Sequence, residues 1–462
     1  MGAAGARATQ VLAGAGLRVV GVEAGGWTPS EPGWFARTLP SVRRSVGDEP
    51  EIPANPAPMA NAVGGSNHRS ARQSYRIDLD LAPARWPLTT AELLPFHARV
   101  EEAAGVEASP SAPWTETMRA AAAELGRETI AAPVATAAPL GERELGPLVA
   151  AGRLEVLTET VALELVVAGD GSVVGAEVLG RAGRERIHAK RVVLAAQTFE
   201  NVRILLLSRS AAHPEGVGNS HGRVGTGFAT HNLLLAHGHF PGRDLGRHLG
   251  APGHAVAVID FDVEDPAAVQ LGPGATTTGF DGGPDFRGGS ILQAAMGAPD
   301  PGPITAATGL RGAAIREVGS VWAQPEQMPR EENRLELDPS RLDLLGRPLL
   351  LATHDLDDED RARAGFLLDR MEEWLRAAGA ARTWRSAPRP TAIATHAYGG
   401  TTMGSDPVAS VVDRFCQVHD APGLFVLGGS TFPGTGGRGP TQTIEALAWR
   451  TAERIADELD PS

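Results

Sequence analysis

HAYGGTTMGSDPVASVVDRFCQVHDAPGLFVLGGSTFPGTGGRGPTQTIEALAWRTAERI, residues 396–455, is the stretch that decides the fold. It opens on a histidine, crosses a glycine-rich loop and reaches a short apolar run, LFVLGG at 424–429. A second glycine-rich loop follows, and then a helical run starting at Pro440-Thr441. Proline suits a first helical turn, because the N–H it lacks would have no partner inside the helix anyway. Loop, buried strand and terminal helix in this order read as the closing part of an α/β nucleotide-binding unit.

Working outward, the N-terminus offers a matching piece. Met1-Gly-Ala-Ala-Gly-Ala-Arg-Ala leads into a helix that ends at AGAG, and LRVVGVEAGG then gives a strand over Leu17 to Glu23. This is the second half of a dinucleotide fingerprint. Gly2 lets the backbone approach a pyrophosphate, and Gly5 lets the helix pack on the sheet. The helix N-terminus offers its free N–H groups to the anion. Glu23 stands where a carboxylate can accept hydrogen bonds from ribose hydroxyls. The first strand and first glycine of the fingerprint are absent from this sequence. Loss of a central parallel strand leaves unpaired backbone groups on two neighbours, so the expectation is an N-terminally truncated or mis-started chain.

The middle of the chain alternates in character. TTAELLPFHARVEEAAGV (89–106) has acids early and an apolar stripe at helical spacing. RLEVLTETVALELVV and SVVGAEVLG, joined through Gly-Asp-Gly, predict a hairpin. RVVLAA (191–196) reads as a buried strand followed by a helix, and 236–395 as irregular until a helix at DEDRARAGFLLDRMEEWLRAAG. The fold class is therefore α/β. A Rossmann-like domain at 1–80, 146–235 and 396–462 is interleaved with a sheet-plus-helix α+β substrate domain at 81–145 and 236–395.

Bulk properties narrow the function. The formal charge is 42 − 55 = −13, which argues against nucleic acid, since phosphate binding needs clustered Lys and Arg. An acidic surface accommodates a cationic substrate or simply confers solubility. The single cysteine, Cys416, excludes disulfides within the chain and any multi-thiolate metal site, and fits a cytoplasmic location. There is no secretory signal pattern, no apolar run long enough for a membrane span, and no His or carboxylate cluster with metal-ligand spacing.

The tail resembles the C-terminal signature of glucose–methanol–choline (GMC) oxidoreductases, in the branch of gluconate dehydrogenase flavoprotein subunits and sugar oxidases. The resemblance continues at VEAGGW (22–27), VGGS…QSYR (63–76), WPLTTAEL (86–93), GRLEVLTETVALELVV (152–167), AKRVVLAAQTFENVRILLLS (189–208), GRVGTGFATHN (222–232) and NRLELDPSRLDLLGRP (333–348). It implies FAD held between the two domains and hydride transfer from a CH–OH carbon to flavin N5. The substrate would be a sugar, a sugar acid or a related polyol or alcohol, with an electron acceptor that the sequence does not name. His396, opening H-x-x-G, matches the family's catalytic base; a buried structural histidine is the other reading. The resemblance also assigns Gly64, Gly65, Ser66, Asn67, Gly429 and Ser430 to FAD, and aims the helix beginning at Pro440-Thr441 at the ring.

Four departures from the family pattern stand out. Gly439 replaces the Asn of G-x-N-P-T-x-T, removing the usual second active-site side chain. Arg69 and Ser70 occupy the His and Trp positions of the G-G-S-x-x-H-W motif, with His68 one residue off, so FAD is expected to be non-covalent. Thr402 replaces an Arg, and the cysteine-rich stretch of relatives is missing. These changes keep open a degenerate, non-catalytic flavin-fold protein, and more distantly a non-redox lyase using His396. Among other candidates, His231-Asn232 either lines the flavin side or caps a turn. His419 reads as a surface turn residue and Glu326 and Glu332 as solvated. Trp86 and Trp322 either stack on a sugar or pack in the core.

Overall fold

The computed structural model describes residues 1–28, 42–46, 49–54, 61–68, 72–80, 86–231, 234–246, 255–258, 277–280, 317–385 and 396–459. Arg69, Ser70 and Asn232 lie outside the described residues.

Two short parallel ladders form the nucleotide-side sheet. Val19–Val22 pairs with Leu154–Leu157, and Val192–Leu194 pairs with Leu424–Val426. These runs are short and rich in Val, Leu and Phe, as expected of strands covered on both faces. No ladder joins the two pairs among the described residues. The helix Ala3–Gly14 follows the fingerprint glycines and packs along the C-terminal helix Thr441–Leu459. Alanines on the first helix allow the close approach. Arg7 is buried there and donates to the Glu445 carboxylate from Nε at 3.1 Å and Nη2 at 2.7 Å. Its guanidinium also lies 5.0 Å from the centre of the Trp449 ring. A buried charge in such a place needs both partners.

A three-stranded antiparallel meander, Val161–Val167, Val173–Gly180 and Gly183–His188, flanks this sheet. The expected hairpin is its first half. The run RLEVLTETVALELVV is two strands rather than one. Its first part belongs to the parallel sheet and its second to the meander, with the break at Glu159, whose φ is +52°. One apolar stretch thus serves two sheets, which periodicity alone does not reveal.

The second layer is a six-stranded sheet in the order Arg382–Arg385, Leu234–His239, Val318–Ala323, Thr277–Phe280, Ala255–Val258, Ile130–Ala131. Four of these six strands come from the region the sequence presents as irregular; their short, glycine-interrupted runs hide the period-two pattern. The helix Asp358–Ala377 covers this sheet and buries Leu367, Leu368, Met371, Trp374 and Leu375 against it. It is capped by Asp357, whose carboxylate accepts the Asp360 N–H at 2.7 Å. The helix Thr90–Ala104 has a full capping box between Thr89 and Glu92 and ends at Gly105 in the left-handed region. It lies against the C-terminal helix, and its Leu93 and Val100 join the nucleotide-side core. In sequence it sits within the segment assigned to the substrate domain.

Candidate functional site

A cleft of about 1630 Å³ opens between the two layers. It exceeds the ~300–1,000 Å³ of ordinary small-molecule pockets. Its nucleotide-side wall carries Gly2, Gly5, Glu23, Gly65, Ser66, Asn67, Gly429, Pro440, Thr441 and His396, so these predicted residues are brought together. Gly64 and Ser430 are not among the residues that line the cleft. Both sit behind the wall. Gly64 is turned at φ +88°, with its Cβ position facing the Leu140 carbonyl. The Ser430 hydroxyl accepts a hydrogen bond from Asn201 Nδ2 at 2.9 Å in the core.

The wall has the features an anionic ligand needs. The first helix starts at Ala3 after Gly2, and no side chain caps it. The last helix starts at Thr441 on the same cleft. Two helix N-termini therefore present N–H groups and positive dipole ends to one space. Gly2 and Gly65 bring their backbones together; a Cβ on Gly65, whose φ is +57°, would come within 2.7 Å of Gly2 Cα. Gly5 is less constrained, since a Cβ there would make only ordinary contact with Ala195 at 3.5 Å. Glu23 lies at the end of its strand, as expected. Its carboxylate accepts the Gly25 N–H at 2.9 Å and is paired with the Met1 ammonium. Asn67 donates to Glu445 at 3.0 Å, tying this turn to the buried Arg7 pair.

The same cleft is lined by His396. It begins the two-residue strand Ala397–Tyr398, which pairs antiparallel with Ala229–Thr230. That pairing brings His231 beside it, and the two Nδ1 atoms are 2.8 Å apart. His231 Nε2 is 2.6 Å from the Thr435 hydroxyl. His396 reaches the cleft and His231 lies behind it, so His231 is a neighbour of the candidate base and does not line the cleft. Gly439 lies on the cleft with His396 Cε1 3.9 Å from its Cβ position, and nothing else is within 4 Å. The space beside His396 that a side chain at 439 would fill is left open.

Other cleft residues carried weak sequence signals or none. Trp322 and Gln324 reach it from the six-stranded sheet, and Tyr75 and Arg438 line it too. Trp322 is thus placed where a ring could meet a ligand, whereas Trp86 is core, edge-on to Phe432 at 5.0 Å. Glu326 is buried, not solvated as expected, and accepts the Thr435 N–H at 2.9 Å. Glu332 is exposed. His419 hydrogen-bonds Ser410 at 3.0 Å. Among the described residues no group of three His, Cys, Asp or Glu could hold a metal, and no helix is long and apolar enough to cross a membrane.

Burial sets the protonation of the pair. Desolvation lowers the His396 pKa from 6.5 to about 4. It also lowers His231 well below the ordinary value, with the His396 charge adding to the effect. His97, on the buried face of the Thr90–Ala104 helix, is lowered to about 4 as well, by desolvation and then by Arg76. Each of these histidines is neutral in the fold and protonates more readily in the unfolded chain. For His396 and His97 this contribution is fully present above pH 6.5 and is lost as pH falls toward 4, at about 1.4 kcal/mol per pH unit for each of the two. Urea midpoints taken from pH 7 down to pH 4.5 are expected to fall steadily through this window. A flat profile there would contradict neutral buried histidines.

Comparison with known proteins gives one consistent answer. Residues 329–448 match the family model described as GMC oxidoreductase. The chain is 30% identical over 328 residues to the gluconate 2-dehydrogenase flavoprotein of Pantoea cypripedii, covering 66% of this chain and 51% of that protein. It therefore spans about half the length of that relative. It is 28% identical over 438 residues to the 6'''-hydroxyparomomycin C oxidase of Streptomyces lividus, covering 83% of this chain and 74% of that one. Among solved structures, pyridoxine 4-oxidase from Mesorbium loti superposes with a TM-score of 0.71 at 17% identity, over 98% of this chain and 97% of the other. A formate oxidase of Aspergillus oryzae RIB40 superposes at 0.67 and 15% identity, over 99% and 97%. At these identities the structures speak for the fold.

Proposed function

From the match of residues 329–448 to the GMC oxidoreductase model and the likeness to a gluconate 2-dehydrogenase flavoprotein, we propose that this chain is an FAD-dependent oxidoreductase acting on the CH–OH group of a sugar, sugar acid or related polyol, with His396 as base. The observation that supports this reading is that His396 lines the same cleft as Gly2, Gly65, Glu23 and the starts of the two helices. The described residues fit FAD. Gly2, Gly65 and the first helix N-terminus would hold the pyrophosphate, Glu23 the ribose and Gly429 the flavin, with the Pro440-Thr441 helix start at the ring. When bound, the flavin supplies the hydride acceptor.

The chain's own groups do the rest. Burial keeps His396 neutral, so it can accept the hydroxyl proton. Its position between Gly439 and the Ala397–Tyr398 strand fixes where that hydroxyl must lie. Trp322 and Gln324 offer a stacking face and a hydrogen-bonding amide on the substrate side. Gly439 supplies no side chain to the substrate, so substrate orientation falls to these cleft residues. The division into interleaved FAD and substrate domains, non-covalent attachment of FAD and a cytoplasmic location belong to the same reading.

The test is reconstitution. Purified protein incubated with FAD is expected to show flavin absorption bands after gel filtration, and those bands should bleach on addition of a sugar or polyol from a panel. Failure to retain FAD would rule out the enzyme reading and leave the non-catalytic flavin-fold protein in its place.

A further inference from the structure

Arg438 lines the cleft one residue along the chain from Gly439, whose Cβ position lies 3.9 Å from His396 Cε1. The run T-G-G-R-G-P-T (435–441) sets it there. Gly436 and Gly437 take left-handed φ values of +57° and +70°, which favour glycine. The chain turns through them, and the Arg438 N–H closes the turn on the Thr435 carbonyl at 3.1 Å. The turn is itself pinned, because the buried Glu326 carboxylate accepts the Thr435 N–H at 2.9 Å. Arg438 therefore leaves a held backbone.

Its charge is felt on the substrate-side sheet. Burial pushes the Tyr75 phenol pKa up, and the Arg438 charge pulls against that push. Tyr75 packs in one cluster with Ala132, Ala255, Ala257 and Trp322. Arg438 thus connects the neighbourhood of the candidate base with the wall that carries Trp322. Two carboxylates on the same cleft are engaged with other groups. Glu445 is held by Arg7 and Asn67, and Glu23 by the Gly25 N–H and the Met1 ammonium. The chain carries a net charge of −13, yet the side chain next to Gly439 is cationic. Salt screens exposed surface charges beyond about 8–10 Å, so a substrate in the cleft answers to the near cation more than to the net charge.

We propose that Arg438 is a specificity-determining residue that binds a carboxylate of the substrate, so that the site takes sugar acids in preference to neutral polyols and disfavours amine-bearing ones. This rests on the reading of His396 as base and narrows its substrate classes to one. Gly439 has no side chain with which to orient a substrate. A guanidinium one residue earlier has the means, since its planar fork pairs with both oxygens of a carboxylate and so fixes direction as well as distance. An ammonium in the same place would meet like charge.

The test uses gluconate, glucitol and glucamine, which share a six-carbon skeleton and differ in the charge at one end. Equilibrium dialysis of each radiolabelled ligand against FAD-loaded protein, without an electron acceptor, reads binding apart from turnover. Gluconate is expected to bind tightest and glucamine weakest. In Arg438→Gln the gluconate Kd should rise about 10- to 100-fold, the effect of losing a charge-assisted hydrogen-bonded pair, with the glucitol Kd little changed. Arg438→Lys keeps the charge without the fork and should fall between.

Equal binding of gluconate and glucitol by the unaltered protein would overturn the proposal. So would an order of affinities that survives in Arg438→Gln; a lowered flavin potential in that variant would then assign Arg438 to the flavin. Arg438-dependent gluconate binding with no flavin bleaching by any of the three ligands would remove the oxidoreductase reading and leave the carboxylate site standing. Bleaching by glucitol and gluconate at equal KM would keep that reading and overturn the site.

Discussion

His396→Ala is expected to slow substrate oxidation by about 10²–10⁴-fold, the range typical of losing a positioned general base. In energy this is about 3–5.5 kcal/mol of transition-state stabilisation. The loss should fall on kcat and kcat/KM alike, because the base acts as the hydroxyl proton leaves and not in holding the substrate. Stopped-flow bleaching of the bound flavin at saturating substrate reads this directly. FAD retention should be unchanged, since the pyrophosphate and ribose are proposed to be held by Gly2, Gly65 and Glu23 and not by His396. The variant also removes the ring whose Nδ1 lies 2.8 Å from His231 Nδ1, so its folding should be checked by its urea midpoint. An undiminished rate in a folded, FAD-loaded variant would remove His396 from the role of base.

Gly399→Ala should be the most damaging of the small substitutions around the site. Gly399 follows the Ala397–Tyr398 strand with φ +75°, and a Cβ there would come within 1.9 Å of the Gly227 carbonyl oxygen and 2.8 Å of its carbon. Both atoms are backbone, so no side chain can swing aside. Residue 227 begins the segment that pairs with this strand and carries His231: Ala229 pairs with Tyr398, and Thr230 with Ala397. Relief of the clash must push the two histidine-bearing segments apart. The expected cost is about 3–5 kcal/mol, combining left-handed backbone strain with overpacking. Gly222→Ala is the matched control. It shares a positive φ of +66° but has nothing within 4 Å, and should lose only the ~1–2 kcal/mol conformational part. Urea midpoints of the two variants separate the contributions, and equal losses would show that the close approach at Gly399 is unimportant. The rate should also fall in Gly399→Ala as the pair at 231 and 396 separates.

Much of the site was legible because its parts are local. The glycines at 2 and 65, the acid at 23, the helix start at 440–441 and His396 all lie in short motifs. In such motifs neighbouring residues set the backbone shape, and that shape sets what the motif can hold. Other placements were not legible. Gly64 and Ser430 sit in the same motifs but do not line the cleft, because one residue along a turn changes what a position faces. Glu326 looked like a solvated loop charge, yet packing over the Thr435 turn buries it.

The sequence by itself therefore determined the fold class and singled out His396 as the candidate base. Composition, apolar periodicity and glycine punctuation are read within a few residues, and a long ordered set of motifs leaves little freedom. Only the tertiary structure decided how that base is held. His231 and His396 are 165 residues apart in the chain and meet through a two-residue strand pairing. Thr435 arrives from a further segment and meets His231 Nε2 at 2.6 Å. No local pattern encodes such a meeting, because the partners of a buried polar group are set by which donors and acceptors close packing leaves facing one another.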